Sequence, residues 1–508
     1  PGEAGRAPGE AGRASDGASA LPPGQAATPE WAEGVCGTPA ARIVALARDW
    51  ARRRPTALIP GLSMQRTWGG EEAVRLAIAL QVATGNLGRP GGSSGARTWG
   101  GLPGPRFGRM PVPPNPVDAD IAANDWAEAV LAVMEGRPPV RSRSGRPADI
   151  RAVYNVGGNY VAQAADVHKS IRAFAALEFA VCHDLFLTAT AKHCDVVLPV
   201  THWLEREDVV FTGANYLLFS HKVADPPTSR RGHGSPGPRD DYAIFAELAE
   251  RLGAGEAFSE GKDPAAWLRG FIERSEVPDP DVFRATGIYV APDQERVGLA
   301  AFADDPAGHP LATPSGKVEL AGEPCVVAGL PEVPEARVLT ADAARAADPS
   351  TAAGLSCRQT YPLRLITPKS RYRVHSQLAD IPWFRERDDR TLWMNPADAA
   401  ARGVADGAQV LITSPQGRVR CPCHVTDDIM PGVVSLCEGI EPAFDASQGG
   451  LTGEGAADPG VARDPEVAAR AVDVAGAANV LTSDMPTLPS RGATMHSTLV
   501  RVRPAAVT

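Results

Sequence analysis

HDLFLTATAKHCDVVLPVTHWLERED, His183 to Asp208, is the stretch whose reading decides the fold. It opens on His183-Asp184, directly after the apolar run Phe179-Ala180-Val181. A second apolar run, Val196-Val197-Leu198, stops at Pro199, and acidic residues follow at Glu205, Glu207 and Asp208. Short apolar runs that end in polar residues predict buried parallel strands with a loop at each carboxyl end. In open α/β sheets ligands lie in the crevice beyond those ends. His183-Asp184 and Thr201 to Asp208 are therefore expected on one ligand-facing edge. The alternative is two buried strands followed by solvated charge.

Working outward, Ala152-Val153-Tyr154 reads as a strand and Asn155-Val156-Gly157-Gly158-Asn159 as its loop. A helix with Val167, Ile171 and Phe174 inward leads to the strand at 179–181. This βαβ order predicts a parallel sheet with right-handed crossovers. Further upstream, Thr38 is expected to cap a helix with Pro39 in its first turn and Ile43, Leu46, Ala47 and Trp50 on one face. Ala57-Leu58-Ile59 reads as a short strand, followed by a loop with Gln65-Arg66 and a helix from Glu71 to Thr84. Strand, glycine-bearing loop and helix is the plan of an anion-binding unit, but no GxGxxG or GxxxxGKS is present. The glycine-dense loop Asn86 to Gly104 suits close backbone approach to a ligand or is a flexible connection.

Downstream, 225–240 reads as a loop, Asp241 to Leu252 and Pro264 to Arg274 as helices, and 275–355 as a poorly periodic covering segment or linker. From about 360 the pattern changes. Leu363 to Thr367, Gln409 to Thr413, Val419 to Val425 and Gly432 to Leu436 are strands, and Pro396 to Arg402 is a helix. Pro415-Gln416-Gly417 sits where a hairpin turn belongs. Several short strands with one helix predict a compact β-barrel.

The chain has 508 residues, 44% of them hydrophobic, and a formal net charge of -9. That charge argues against nucleic acid as a main partner. Eight cysteines are scattered without a CxxC, so no zinc or iron–sulfur ligand set is spelled out, and all eight read as structural thiols. No apolar run approaches the roughly 20 residues of a membrane span. Residues 1–27, with the near-repeat PGEAGRA, are too poor in apolar side chains to order themselves. The chain starts at Pro1, which is expected of the carboxyl-terminal part of a longer protein or of a frame-shifted or mis-started reading.

Taken together, these motifs resemble the molybdopterin oxidoreductases of the dimethyl sulfoxide reductase family, closest to the catalytic subunit of the anaerobic reductase. The resemblance is carried by Thr28 to Ala32, Met64-Gln65-Arg66, Thr84 to Gly88 with Gly91-Gly92, Asn155 to Asn159, His183-Asp184, Thr190-Ala191-Lys192, Asp195 to Pro199 and Glu205 to Asp208. Arg371 to Gln377, Asn395 to Asp398 and Asn479 to Thr482 continue it. It implies an α/β fold of Rossmann-like parallel-sheet lobes followed by a carboxyl-terminal double-psi β-barrel. Residues 28–135 would belong to the family's third domain, 150–300 to its second and 356–508 to its fourth, with 301–355 linking or covering. The implied cofactor is molybdenum held by two molybdopterin guanine dinucleotides. The amino-terminal portion that carries the 4Fe–4S cysteines and the protein ligand to molybdenum is not matched, so no metal ligand and no catalytic residue is assigned.

The resemblance makes Gln65, Arg66, Asn155, Gly158, Asn159, His183, Asp184, Lys192, Asp208, Arg373, His375, Ser376, Gln377, Asn395 and Asn479 the candidate cofactor-binding residues. Asp184 can accept from guanine N1–H and its amine, or serve as a helix cap. Asn155, Gly158 and Asn159 offer a loop whose N–H groups reach phosphate or ribose, or form an ordinary turn. Lys192 offers a point charge or is solvated. Asp208 holds a ribose hydroxyl or is surface charge. Arg66 pairs with phosphate, polarises a substrate oxygen, or forms a structural salt bridge. Alternation would place Arg373, His375 and Gln377 on one face of an extended segment, suited to a pterin edge; a core histidine is the rival reading of His375. Asn395 and Asn479 complement an amide-edged heterocycle or cap a helix or turn.

The implied function is reduction of an S-oxide or N-oxide such as dimethyl sulfoxide by oxygen-atom transfer in anaerobic respiration, with the cofactor doing the chemistry. Family habit adds an iron–sulfur electron-transfer subunit and a membrane anchor subunit, outside the cytoplasmic membrane; the cytoplasm is the alternative. Two other functions stay open: another molybdopterin-dependent reductase or hydroxylase, and a non-catalytic cofactor-binding remnant.

Overall fold

The computed structural model describes residues 27–92, 104–117, 120–142, 144–227, 237–327, 329, 360–445 and 471–505. The lead at 1–26, most of the glycine-dense loop after Gly92, Cys357 and the larger part of 328–359 lie outside the described residues. The chain divides into two compact units, one gathering residues 1–100, 297–351 and 487–492, the other 101–296, 352–486 and 493–508.

The first unit is helical in its described part. Helix α1, Pro29–Cys36, is capped by the Thr28 hydroxyl, which accepts from Trp31 N–H at 3.2 Å. Helix α2, Ala40–Arg52, has its N-cap one residue later than the Thr38 expected. Pro39 is the N-cap residue and has no side-chain acceptor, and the Glu33 carboxylate accepts from Ala40 N–H instead. Helix α3, Gly70–Ala83, carries the buried pair Glu72–Arg75 at 2.8 Å, and Arg75 also donates to the Leu320 carbonyl. The strand expected at 57–59 does not form. No strand is described in this unit for it to pair with, and Ile59 is exposed.

The second unit holds the stretch read first. After helix α4, Trp126–Met134, come strand β1, Ala152–Val156, and the short helix α5, Tyr160–Gln163. Helix α6, Val167–Ala176, leads to β2, Phe179–Asp184, and β3, Val196–Pro199. These strands pair in parallel in the order β1-β2-β3, with Asn155 opposite Cys182 and Cys182 opposite Val197. Val167, Ile171 and Phe174 are buried as their spacing predicts. One sheet face turns towards α6. On the other, Tyr154, Val156, Phe179 and Val196 remain substantially exposed.

A separate antiparallel sheet follows: β4, Asp208–Phe211, β5, Tyr216–Ser220, and, after helix α7, Asp241–Arg251, the edge strand β6, Ile288–Val290. The segment after 275 thus contains regular structure, including a helix at Pro280–Thr286. Three-residue edge strands are too short to show a periodic pattern.

The last part forms a barrel of six strands: β7, Leu363–Ile366; β8, Leu392–Met394; β9, Gln409–Thr413; β10, Arg418–Val425; β11, Val433–Ser435; and, after the short β12, Phe444–Asp445, and β13, Val472–Asp473, strand β14, Leu499–Pro504. The order β10-β8-β11-β7-β14-β9 closes because β9 also pairs with β10. Closure removes the unpaired edges a short sheet would expose. The expected hairpin joins β9 to β10, with Ser414 N–H donating to the Gly417 carbonyl. One continuous core runs from Val161, Ile171, Phe174 and Ala180 into Leu363, Leu392, Ile412, Val434 and Val500, so the parallel lobe and the barrel share buried surface.

Candidate functional site

The carboxyl-end loops of β1 and β2 meet barrel loops. Asn159, in the loop after β1, donates to Ser376 at 3.1 Å and to the Glu441 carboxylate at 2.8 Å. Its own carbonyl oxygen accepts from Thr190 N–H and hydroxyl. Gln163 donates to Ser376 as well, and Ala189 N–H donates to Glu441. Behind them, Asn479 donates to the carbonyls of Ala162 and Gln163. The sheet edge is therefore joined to the barrel by amide and carboxylate bonds as well as apolar packing.

The loop after β7 supplies the charged part. Arg373 and Asp388 pair at 2.6 Å with both side chains removed from solvent. Arg373 also donates to the carbonyls of His375 and Glu438. Its second terminal nitrogen is buried with no hydrogen-bond partner, as is the Thr367 hydroxyl. His375 lies beside Glu438 and Lys369: Nδ1 is 2.9 Å from the Glu438 carboxylate and Nε2 is 2.9 Å from the Lys369 ammonium. The same ammonium is 3.2 Å from Nδ1 and 2.8 Å from the Glu438 carboxylate, so the three side chains form one cluster. Gly439, at φ 80, is packed so closely that a Cβ would lie 2.3 Å from the His375 carbonyl oxygen. At Gly158 a Cβ would lie 2.7 Å from the Asn155 side chain.

The extended alternation expected over Arg373 to Gln377 is replaced by a turn. His375 takes φ 55, and Gln377 N–H donates to the Val374 carbonyl. The physical reason is Arg373, whose guanidinium draws the His375 carbonyl back towards itself. Ser376 faces the sheet loops, while Gln377 is exposed.

Other predicted residues are placed as follows. Asn155 donates to the Gly158 carbonyl at 2.7 Å and to the Cys182 thiol at 3.1 Å. Asp184 accepts from Leu185 N–H and the Thr188 hydroxyl, closing its own loop without capping a helix. His183 is buried on the opposite sheet face, between the Tyr154 hydroxyl at 2.8 Å and Asp241 at 2.9 Å. Lys192 stands 3.9 Å from Glu441. Asp208 is half-exposed and 3.7 Å from Arg206. Asn395 caps the helix Pro396–Ala400 and donates to the Ile429 carbonyl, so both ends of its amide are in use. Gln65 and Arg66 lie in a single turn of the first unit, Gln65 exposed.

Glu438, Glu441, Lys369 and Asp388 were not singled out from sequence, and Thr190 entered only as part of the motif Thr190 to Lys192, not as a candidate binding residue. The Glu438-Gly439-Ile440-Glu441 run follows β11, so the signal that marked 183–208, an apolar run ending in polar residues, was present there too. Among the described residues no group of three or more His, Cys, Asp or Glu could hold a metal ion, and no helix is long and apolar enough to cross a membrane.

Residues 39–251 match the molybdopterin oxidoreductase family model, and residues 363–499 match the molybdopterin dinucleotide binding domain. The chain is 31% identical over 501 residues to the dimethyl sulfoxide reductase DmsA of Escherichia coli (strain K12), covering 94% of this chain and 56% of that protein. It is 32% identical to a dimethyl sulfoxide/trimethylamine N-oxide reductase of Rhodobacter capsulatus, covering 81% and 52%. Against a biotin sulfoxide reductase of Cereibacter sphaeroides it is 31% identical, covering 93% and 61%. The chain thus spans a little over half the length of these relatives. Among solved structures, acetylene hydratase from Pelobacter acetylenicus shares the fold at a TM-score of 0.64 and 16% identity, covering 94% of this chain and 64% of that one.

Proposed function

The chain belongs to the molybdopterin oxidoreductases, and from that premise we propose that the whole protein reduces an S-oxide or N-oxide by oxygen-atom transfer. The relatives' names support that substrate class, since they span dimethyl sulfoxide, trimethylamine N-oxide and biotin sulfoxide. The proposal extends to molybdenum carried by two molybdopterin guanine dinucleotides, a double-psi strand crossing in the barrel, and a 4Fe–4S cluster in the whole protein. It includes a role in anaerobic respiration with an iron–sulfur subunit and a membrane anchor, on the extracytoplasmic side.

One observation carries the reading: the turn at 373–377 and the run 438–441 close on the carboxyl-end loops of a parallel sheet, beside buried donors with nothing to bind. The free Arg373 nitrogen and the Thr367 hydroxyl suit an acceptor-rich heterocycle, because an unpaired buried donor costs about 1–3 kcal/mol until it is met. The residues present therefore fit the dinucleotide. Asp184 and the loop from Asn155 to Asn159 would hold its guanine and phosphate end, and Arg373, His375 and Ser376 the pterin end.

When bound, the molybdenum centre supplies the site that takes the oxygen atom and the electrons that replace it. The chain's own residues bind and orient. Asp388 fixes Arg373, and Arg373 fixes the backbone at His375 and Glu438. Glu438 and Lys369 hold the half-exposed imidazole of His375 in place. Preorganised donors of this kind cost no reorganisation when charge develops near them.

The test is to purify the intact protein from a host that makes the cofactor. Molybdenum, acid-released guanine nucleotide and oxidation of a reduced viologen by the three oxides are then measured. Metal and guanine nucleotide together with turnover of at least one oxide are expected. Absence of molybdenum overturns the cofactor assignment, and molybdenum without turnover of any oxide overturns the reductase assignment.

A further inference from the structure

Three side chains stand in a row on the far face of the parallel sheet, and neither the cofactor nor the reductase reading uses them. Strands β1 and β2 pair with Tyr154 opposite Val181 and Val156 opposite His183. Side chains two apart along a strand share a face, so Tyr154 and His183 lie on the same one. Gly157 N–H donates to the His183 carbonyl at 2.9 Å and carries the ladder to the end of β2. Helix α7 lies over the two side chains. Its Phe245 ring is 5.2 Å from the Tyr154 ring and 5.1 Å from the imidazole. Asp241, one turn earlier on the same side of the helix, brings its carboxylate to the imidazole. Arg206 stands 3.5 Å from Asp240 and 3.9 Å from Asp241, beside the start of that helix.

The row has a direction. An ionised carboxylate only accepts, so His183 Nδ1–H donates to Asp241 at 2.9 Å. In the neutral imidazole Nε2 is then the acceptor, and the Tyr154 hydroxyl, 2.8 Å away, donates to it. His183 is 0% exposed, whereas Tyr154 is 41% exposed. Burial first, then the Asp241 charge, holds the phenol above its ordinary value, so it keeps its proton until it reacts. Carboxylate, imidazole and hydroxyl in this order form the arrangement that readies a hydroxyl for attack on an acyl carbon.

We propose that Tyr154 is a nucleophile that takes an acyl group from an activated ester, with His183 as its base and Asp241 as the residue that positions the base.

The phenol oxygen bonds to the acyl carbon while its proton passes to His183 Nε2. The bond from the acyl carbon to the leaving oxygen then breaks, and the leaving group takes that proton from Nε2. One ester and one tyrosine give acyl-Tyr154 and one free alcohol or phenol, with no oxidation or reduction. The face also offers room for the acyl chain. Val156, Phe179 and Val196 share it with Tyr154 and are substantially exposed, so an apolar chain is the class that suits it.

The full chain is mixed with p-nitrophenyl hexanoate, sampled over time, digested and analysed by mass spectrometry. Tyr160, 45% exposed and packed on Trp126, is the internal reference. A positioned base contributes about 100-fold or more, so hexanoyl is expected on Tyr154 at least about tenfold faster than on Tyr160. A smaller ratio overturns the proposal. The ratio is expected to be larger with the hexanoyl than with the acetyl ester, and equal ratios overturn the role of the apolar face. His183→Gln removes the base from a buried position. Asp241→Asn, at a half-exposed one, tests the same relay without emptying the core. Each is expected to bring Tyr154 down to the Tyr160 rate, with Tyr160 itself unchanged. Asp241→Glu, which keeps a carboxylate, is expected to recover part of the difference. Labelling of Tyr154 that stays fast in Asp241→Asn overturns the relay. A slower Tyr154 that comes with faster amide exchange across β1 and β2 makes Asp241 structural and overturns its positioning role.

Discussion

Arg373 and Asp388 meet at 2.6 Å with side chains only 1% and 0% exposed, and this one pair sets the backbone on both sides of the candidate pterin end. Removing one partner of a buried pair leaves an uncompensated charge, which costs about 3–5 kcal/mol. Asp388→Ala is therefore expected to lower the stability of the second unit by that amount. It should also free the turn at 373–377. Urea unfolding measures the first effect and amide exchange of that turn the second. A variant as stable as the parent would show that Arg373 finds another partner.

Glu441 is the carboxylate on which both sheet loops converge, accepting from Asn159 at 2.8 Å and from Ala189 N–H at 3.0 Å. Glu441→Ala leaves two donors without an acceptor, and buried unsatisfied donors cost about 1–3 kcal/mol each. We expect faster amide exchange at 157–163 and 188–192 while the barrel strands stay protected. Glu441→Gln, which keeps one acceptor oxygen, should fall between the two.

Much of this arrangement could be read in the residues. The runs at 179–181 and 196–198 became parallel strands because each is short, apolar and stopped by polar residues, and β9 spans the predicted residues. Sequence reasoning failed where a strand needs a neighbour. Ala57-Leu58-Ile59 has strand chemistry, but no described strand lies in its unit to receive it. It failed again at Arg373 to Gln377, where period-two alternation is overridden by a buried guanidinium that folds the backbone back. Asn395 and Asn479 were recognisable as amides with work to do. Only the structure shows that Asn395 spends both ends on a cap and the Ile429 carbonyl, and that Asn479 spends its amine on lobe carbonyls. Glu441 was missed because its partners lie more than 250 residues away in the chain.

The Thr367 hydroxyl is buried and has no hydrogen-bond partner. Valine has nearly the same shape and lacks the unmet polar group. Thr367→Val is therefore expected to leave stability unchanged or raise it by up to about 1 kcal/mol. Its urea midpoint would check this. In the intact protein the same variant should carry less pterin, measured by fluorescence of the oxidised pterin after extraction, because the hydroxyl is free to meet the cofactor. A clear loss of stability would show that the hydroxyl already serves the fold.

His168 gives the clearest pH dependence. It lies on α6, almost fully buried against the Phe444 ring, and neither ring nitrogen has a hydrogen-bond partner. Burial first, then the charges of Arg418 and Arg172, pushes its pKa down to about 4. The folded protein therefore binds fewer protons at this site than the unfolded chain, whose histidine titrates near the ordinary value of about 6.5. The stabilisation from a neutral His168 is complete above about pH 6.5 and is lost as pH falls towards 4. The full loss is up to about 3 kcal/mol, from the free energy of each pKa unit. His168→Leu removes the titrating group and the two unmet nitrogens. Urea unfolding at pH 7.5 and pH 5 should show a smaller drop for the variant than for the parent. Equal drops would place the acid sensitivity in other groups.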